Sequence, residues 1–180
     1  EAKGAVFVER TEDIPDGSVT ILSAHGVSPG VWQQAQGRNL KIIDATCPLV
    51  QKVHYEAKVF AARGYTILLI GHRGHVEMEG TMGEAPAATI LIETKEEAEA
   101  MNLPNPAKTI VLTQTTLSVD DTRETINVLK RRFPAIQFPP REDICYATTN
   151  RQIAVKTIAP RVQLFLMIGA PESSNTMRLV

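Results

Sequence analysis

The sequence predicts an α/β fold of parallel sheets flanked by helices, and three observations carry that expectation. Short β-branched runs alternate with amphipathic segments along the 180 residues. Those runs are apolar throughout rather than alternating, the pattern of strands covered on both faces. Each ends in small or polar residues followed by a helix-start signal, as successive βα units require.

The units can be read in order. VTILSAHGVSPGVWQQAQG gives a strand, then His25, then a helix with Ser28 as N-cap, Pro29 at its first position and Gly37 as stop. Trp32 in this helix reads as core or as a packed anchor. LKIIDATCPLVQKVHYEAKVFAARG gives a strand, Cys47, Pro48 and an amphipathic helix. Leu49, Val53, Ala57, Phe60 and Ala61 share one face of it, and Gly64 ends it; His54 reads as a surface or partly packed residue. YTILLIGHRGHVEMEG gives a strand and then His72, His75, Glu77 and Glu79. In TILIETKEEAEAMN, Thr94 and Glu97 form a capping box. TIVLTQTTLSVDDTRETINVLKRRFP gives a strand, then Gln114, Thr115 and Thr116. Its helix is capped by Ser118, with Asp120 and Asp121 in the first turn and Lys130, Arg131 and Arg132 in the last, matching the helix dipole. VQLFLMIGAPESSNTMRLV gives a last buried strand, then Ser173, Ser174 and Asn175 at the start of a one-turn helix. A single turn needs a continuation to pack it, so the chain reads as a piece of a longer protein; it opens at Glu1 rather than Met. In such a piece the last strand lacks neighbours and presents an edge.

Composition narrows the function. A formal net charge of −1 gives no reason to expect nucleic acid, and no run of about 20 apolar residues suggests a membrane span. No signal-peptide pattern is present, and two distant cysteines do not make a disulfide scaffold, so a reducing, cytoplasmic setting is expected. Cys47 and Cys145 each follow a segment read as a strand end and precede a helix start. A thiol there faces the crevice where open α/β sheets bind ligands; the alternative is a small buried hydrophobe. SAHG and SSN at helix starts suit an anionic group such as a diphosphate, or are ordinary caps. His72 and His75, with Cys47, leave a zinc hydrolase open as a weak alternative, and a cofactor-free, non-catalytic phosphate-binding domain as another.

The motifs SAHGVS, DATCPLVQKVH, GHRGHVEMEGTMG, TQTTLSVDDT, EDICYATTNRQ and SSNTMRL occur in the order seen in the 4-hydroxy-3-methylbut-2-enyl diphosphate reductase family, which the chain resembles over nearly its whole length. The resemblance implies a three-unit, pseudo-threefold α/β architecture around an iron–sulfur cluster. On that template residues 1–46 end a first unit, 47–144 form a complete second unit, and 145–180 begin a third.

The resemblance also implies roles. Cys47 and Cys145 match two of three thiolates holding a [4Fe-4S] cluster. His25 and His75 match residues that hold the substrate diphosphate, with Ser173 and Asn175, and Ser174 beside them. Glu77 matches the carboxylate that handles the proton for loss of the substrate hydroxyl. Thr115 belongs to the same relay, and Gln114 and Thr116 line the pocket. The implied partners are a small allylic diphosphate and an electron donor such as ferredoxin or flavodoxin. The chain departs from the family in lacking the first cluster cysteine, one further diphosphate-binding histidine and most of the third unit, and in having Glu172 where Asn is usual. A carboxylate there would repel a diphosphate unless it turned away.

Overall fold

The computed structural model describes residues 4–171 and 173–180; the readings made for Glu1 and Glu172 lie outside the described residues. In chain order the elements are β1 (Val19–Leu22), α1 (Pro29–Gly37), β2 (Lys41–Asp44), α2 (Pro48–Ala62), β3 (Thr66–Ile70), α3 (Val76–Glu84), β4 (Thr89–Ile92), α4 (Lys95–Ala100), β5 (Thr109–Thr113), α5 (Val119–Arg132), α6 (Tyr146–Ile158) and α7 (Ser174–Met177). All strand pairing is parallel: β1 with β2 in one sheet, and β4-β3-β5 in the other.

The three-stranded sheet is the centre of the molecule. Because side chains alternate across a strand, β3 and β5 each supply both faces. Leu68, Ile70 and Val111 pack with Ala98 of α4 and Val128 and Leu129 of α5. Ile67, Leu69, Ile110 and Leu112 pack with Val53 and Ala57 of α2 and Met78 of α3. Each fully buried Leu or Ile contributes about 1.5–3 kcal/mol, so this sheet is the rigid platform. The expected caps form locally: Ser28 accepts from the Val31 N–H and Ser118 from the Asp121 N–H. Thr94 accepts from the Glu97 N–H as expected, but Glu97 returns its carboxylate to the Glu93 N–H rather than to that of Thr94. The box is shifted by one residue.

Three expectations need correction. The β1–β2 sheet is not covered on both faces among the described residues, since Val19, Ile21 and Ile43 are exposed. The run VQLFLMI is not a strand: among the described residues, 162–168 have no ladder partner, and Leu164, Leu166 and Ile168 are exposed. Apolar β-propensity gives no strand where no neighbouring backbone accepts its hydrogen bonds. Cys145, finally, does not follow a strand. Gln137 makes one isolated bridge to Ile110, and Pro139 and Pro140 then remove the N–H groups a further strand would need.

Candidate functional site

The polar residues that follow β3 and β5 meet at the carboxyl end of the sheet. Gln114 has no exposed surface. Its Oε1 accepts from the His72 N–H at 3.0 Å, and its Nε2 donates to Thr116 Oγ1 at 2.8 Å and Ser174 Oγ at 3.4 Å. One amide thus ties the β3 loop, the β5 loop and α7 together. The packing beside it is tight. A Cβ at Gly71 would lie 2.1 Å from Met78 Sδ and 3.1 Å from Gln114 Oε1, so the close approach of α3 to this loop requires glycine.

Glu77 enters this interior from the first turn of α3 and is 1% exposed. Thr115 grips both carboxylate oxygens: its N–H donates to Oε1 at 2.6 Å and its Oγ1 to Oε2 at 3.1 Å. Burial outweighs these bonds, and with the Asp143 charge nearby it pushes the Glu77 carboxyl up from 4.5 to about 7. A buried carboxyl poised near neutrality is suited to donating a proton.

His75 caps α3. Its Nδ1 accepts from the Glu77 N–H at 3.2 Å, which leaves the proton of the neutral ring on Nε2. The His25 ring, from the loop after β1, meets it edge-on at 5.7 Å between centroids. Burial, then the neighbouring His25 and His72 charges, hold His75 below the usual imidazole value. His72 is lowered by burial and by Arg178, whose guanidinium meets its ring.

Cys47 and Cys145 are both free and partly buried, and each is the N-cap of a helix, α2 and α6, whose cap makes no side-chain hydrogen bond. Their backbones are anchored: the Cys47 N–H donates to the Ala24 carbonyl at 3.0 Å, and the Cys145 N–H to the Thr115 carbonyl at 2.9 Å. Two thiols with uncommitted sulfurs fit as two ligands of an iron–sulfur cluster. Among the described residues no group of three His, Cys, Asp or Glu could hold a metal ion, so His72, His75 and Cys47 do not assemble the zinc site held open above.

At the last helix start, Ser173 caps α7 by accepting from the Thr176 N–H. Ser174 donates to the Thr116 carbonyl at 2.9 Å, and Asn175 Oδ1 accepts from Thr148 at 3.0 Å. Ser174 and part of Asn175 are therefore engaged with protein, and they dock α7 onto the β5 loop and α6. His54 is partly packed: its Nδ1 lies 3.3 Å from Glu84, and its ring sits against Gly26 and Gly80. Trp32 lines a groove with Asp44, Thr46, Gln51, His54 and Glu84. Two residues at the site were not foreseen. Asp143, 3% exposed, takes Lys52 at 2.6 Å and the Thr113 N–H at 3.0 Å. The one available signal was an acid two residues before Cys145.

Residues 1–180 match the LytB protein family. The chain belongs to that family. It is 56% identical over its whole length to a 4-hydroxy-3-methylbut-2-enyl diphosphate reductase of Acidothermus cellulolyticus, spanning 53% of that protein. It is 55% identical to one of Tropheryma whipplei, spanning 58%. The solved E-1-hydroxy-2-methyl-but-2-enyl-4-diphosphate reductase of Plasmodium falciparum superposes with a TM-score of 0.94 at 44% identity, over 99% of this chain and 56% of that one. A second solved structure, an (E)-4-hydroxy-3-methyl-but-2-enyl diphosphate reductase described as the terminal enzyme of the non-mevalonate pathway, gives 0.68 at 30% identity, over 95% of this chain and 60% of that one. The chain thus spans little more than half the length of the relatives it matches. Among the described residues no helix is long and apolar enough to cross a membrane.

Proposed function

We propose that this chain carries the proton-handling and part of the cluster-binding machinery of a cytoplasmic 4-hydroxy-3-methylbut-2-enyl diphosphate reductase. The reaction is a reductive dehydroxylation in which two electrons and two protons replace the allylic hydroxyl and release water, yielding isopentenyl and dimethylallyl diphosphates. The observation that carries this reading is one contiguous chain of contacts. Thr115 holds both oxygens of Glu77, and its carbonyl holds the backbone of Cys145.

In that arrangement Cys47 and Cys145 are ligands to a [4Fe-4S] cluster, with the third thiolate outside this chain. When bound, the cluster supplies electrons, delivered by a donor such as ferredoxin or flavodoxin, and a Lewis-acid site for the hydroxyl oxygen. Glu77, near half-protonated at neutral pH, donates the proton that lets the hydroxyl leave as water. Thr115 orients that carboxyl and can relay the proton through Oγ1. His25 and His75 present ring N–H groups to the diphosphate, and Ser173 and Asn175 extend the anion site from the α7 end. Gln114 and Thr116 shape the pocket behind them. On the three-unit reading, the β4-β3-β5 sheet and its helices belong to the second unit, residues 47–144.

The test is anaerobic reconstitution with iron and sulfide of a polypeptide of the relatives' full length in which residues 1–180 replace the matching segment. A brown protein that reduces the allylic diphosphate, and that Cys145→Ser bleaches, is the expected result. A colourless protein would contradict the proposal.

A further inference from the structure

The segment that delivers Cys145 is held by a side chain doing the work of a strand. Along the open edge of β5, Gln137 first pairs in ladder fashion: its N–H donates to the Thr109 carbonyl and its carbonyl accepts from the Val111 N–H, both at 2.9 Å. Pro139 and Pro140 then end the pairing, because neither has an N–H to give. The next inward N–H of β5, on Thr113, would be orphaned in the interior, where an unmade bond is expensive. Asp143 supplies the missing acceptor through Oδ2, at 3.0 Å. Two residues later the Cys145 N–H returns to the Thr115 carbonyl.

The other oxygen of Asp143 faces α2. Lys52 Nζ lies 2.6 Å from Oδ1, 3.2 Å from the Arg141 carbonyl and 3.1 Å from Glu56. Lys52 stands on the helix that Cys47 caps, five residues further on. A single carboxylate, with its side chain 1% exposed, therefore joins the helix begun by Cys47, the end of β5 that leads to Thr115, and the segment that carries Cys145.

We propose that Lys52 and Asp143 are positioning residues that set the separation and relative orientation of the Cys47 and Cys145 thiols in the absence of any metal. The inference rests on the reading of these thiols as cluster ligands, and deepens it. An ion pair with one deeply buried partner adds little net stability, but removing Lys52 leaves the buried Asp143 carboxylate uncompensated. What it supplies here is geometry, because it ties together segments 91 residues apart.

Cys47 and Cys145 are the only cysteines of the chain, so spin labels on both report their distance distribution by pulsed dipolar spectroscopy without added mutations. The wild-type chain gives a single narrow distance peak. Lys52→Met and Asp143→Asn lose that peak for a broad distribution at temperatures where circular dichroism shows the chain folded, whereas Lys52→Arg retains it. Leu91→Ala, which thins the core at β4, the opposite edge of the sheet from β5, also retains it, separating positioning from general destabilisation. Should Asp143→Asn fail to fold, Lys52→Met alone decides. An unchanged narrow peak in the folded Lys52→Met chain overturns the proposal. The ligand reading fails separately: iron retained by Cys145→Ser in the reconstituted protein would remove it while leaving the distance result standing.

Discussion

Replacing Glu77 by Gln keeps the shape of the site and removes its ionisation. The amide oxygen can still accept from the Thr115 N–H, and the amide N–H₂ can donate to Thr115 Oγ1, so both bonds now made by the carboxyl have counterparts. What changes is the pH dependence of stability. The folded carboxyl titrates at about 7 against an ordinary 4.5, so between those values the native state holds a proton that the unfolded chain has released. This favourable contribution is fully present below 4.5 and is lost as pH rises through 7. A gap of roughly 2.5 units at 1.36 kcal/mol each is about 3 kcal/mol. Urea unfolding of both proteins should show Glu77→Gln gaining about that much stability relative to wild type between about pH 4.5 and pH 8. Taking the difference between the two proteins cancels the titrating groups remote from Glu77, whereas the Asp143 carboxyl that helps raise it stays coupled to it. A difference that stays flat across this range would refute the claim that Glu77 is a buried carboxyl held near neutrality.

Other outcomes follow from the same contacts. Thr115→Val removes the hydroxyl donor to Oε2 but not the backbone one; it should raise the Glu77 titration further, read by carboxyl ¹³C NMR, and cost about 1 kcal/mol. Gly71→Ala forces a Cβ into Met78 and should destabilise by about 1–3 kcal/mol through overpacking, read as a lower Tm. If Cys47 and Cys145 are two of three cluster thiolates, as proposed, the 180-residue chain should take up iron and sulfide weakly or not at all and show no turnover. Supplying the flanking segments of the Acidothermus relative should restore both.

What the sequence made legible was local. The caps at Ser28 and Ser118 and the βα alternation from β1 to α5 are written in neighbouring residues, and these formed where the pattern put them. His75, Gln114, Thr115 and Thr116 were legible as residues that follow β3 and β5, because parallel sheets send those loops to one edge, whereas Cys145 and Ser173 follow no strand. What stayed hidden depends on distant partners. Nothing in QKVH or EDIC shows that Lys52 meets Asp143, since that contact exists only after α2 and the β5 edge have packed. Gln114 looked like one polar loop residue among three, and its role at the junction of three segments comes from its complete burial. The run VQLFLMI failed in the opposite sense, since its composition promised a strand and no described backbone stands beside it to make one.

The central claim is that Glu77 moves a proton while Cys145 holds metal, although one threonine touches both. It is tested most directly by product formation from 4-hydroxy-3-methylbut-2-enyl diphosphate in the full-length, anaerobically reconstituted protein carrying these residues. The account predicts that Glu77→Gln keeps the visible iron–sulfur absorbance of the parent and loses nearly all turnover, whereas Cys145→Ser loses the absorbance itself. Parental turnover in Glu77→Gln, or a Cys145→Ser protein that remains brown, would contradict it.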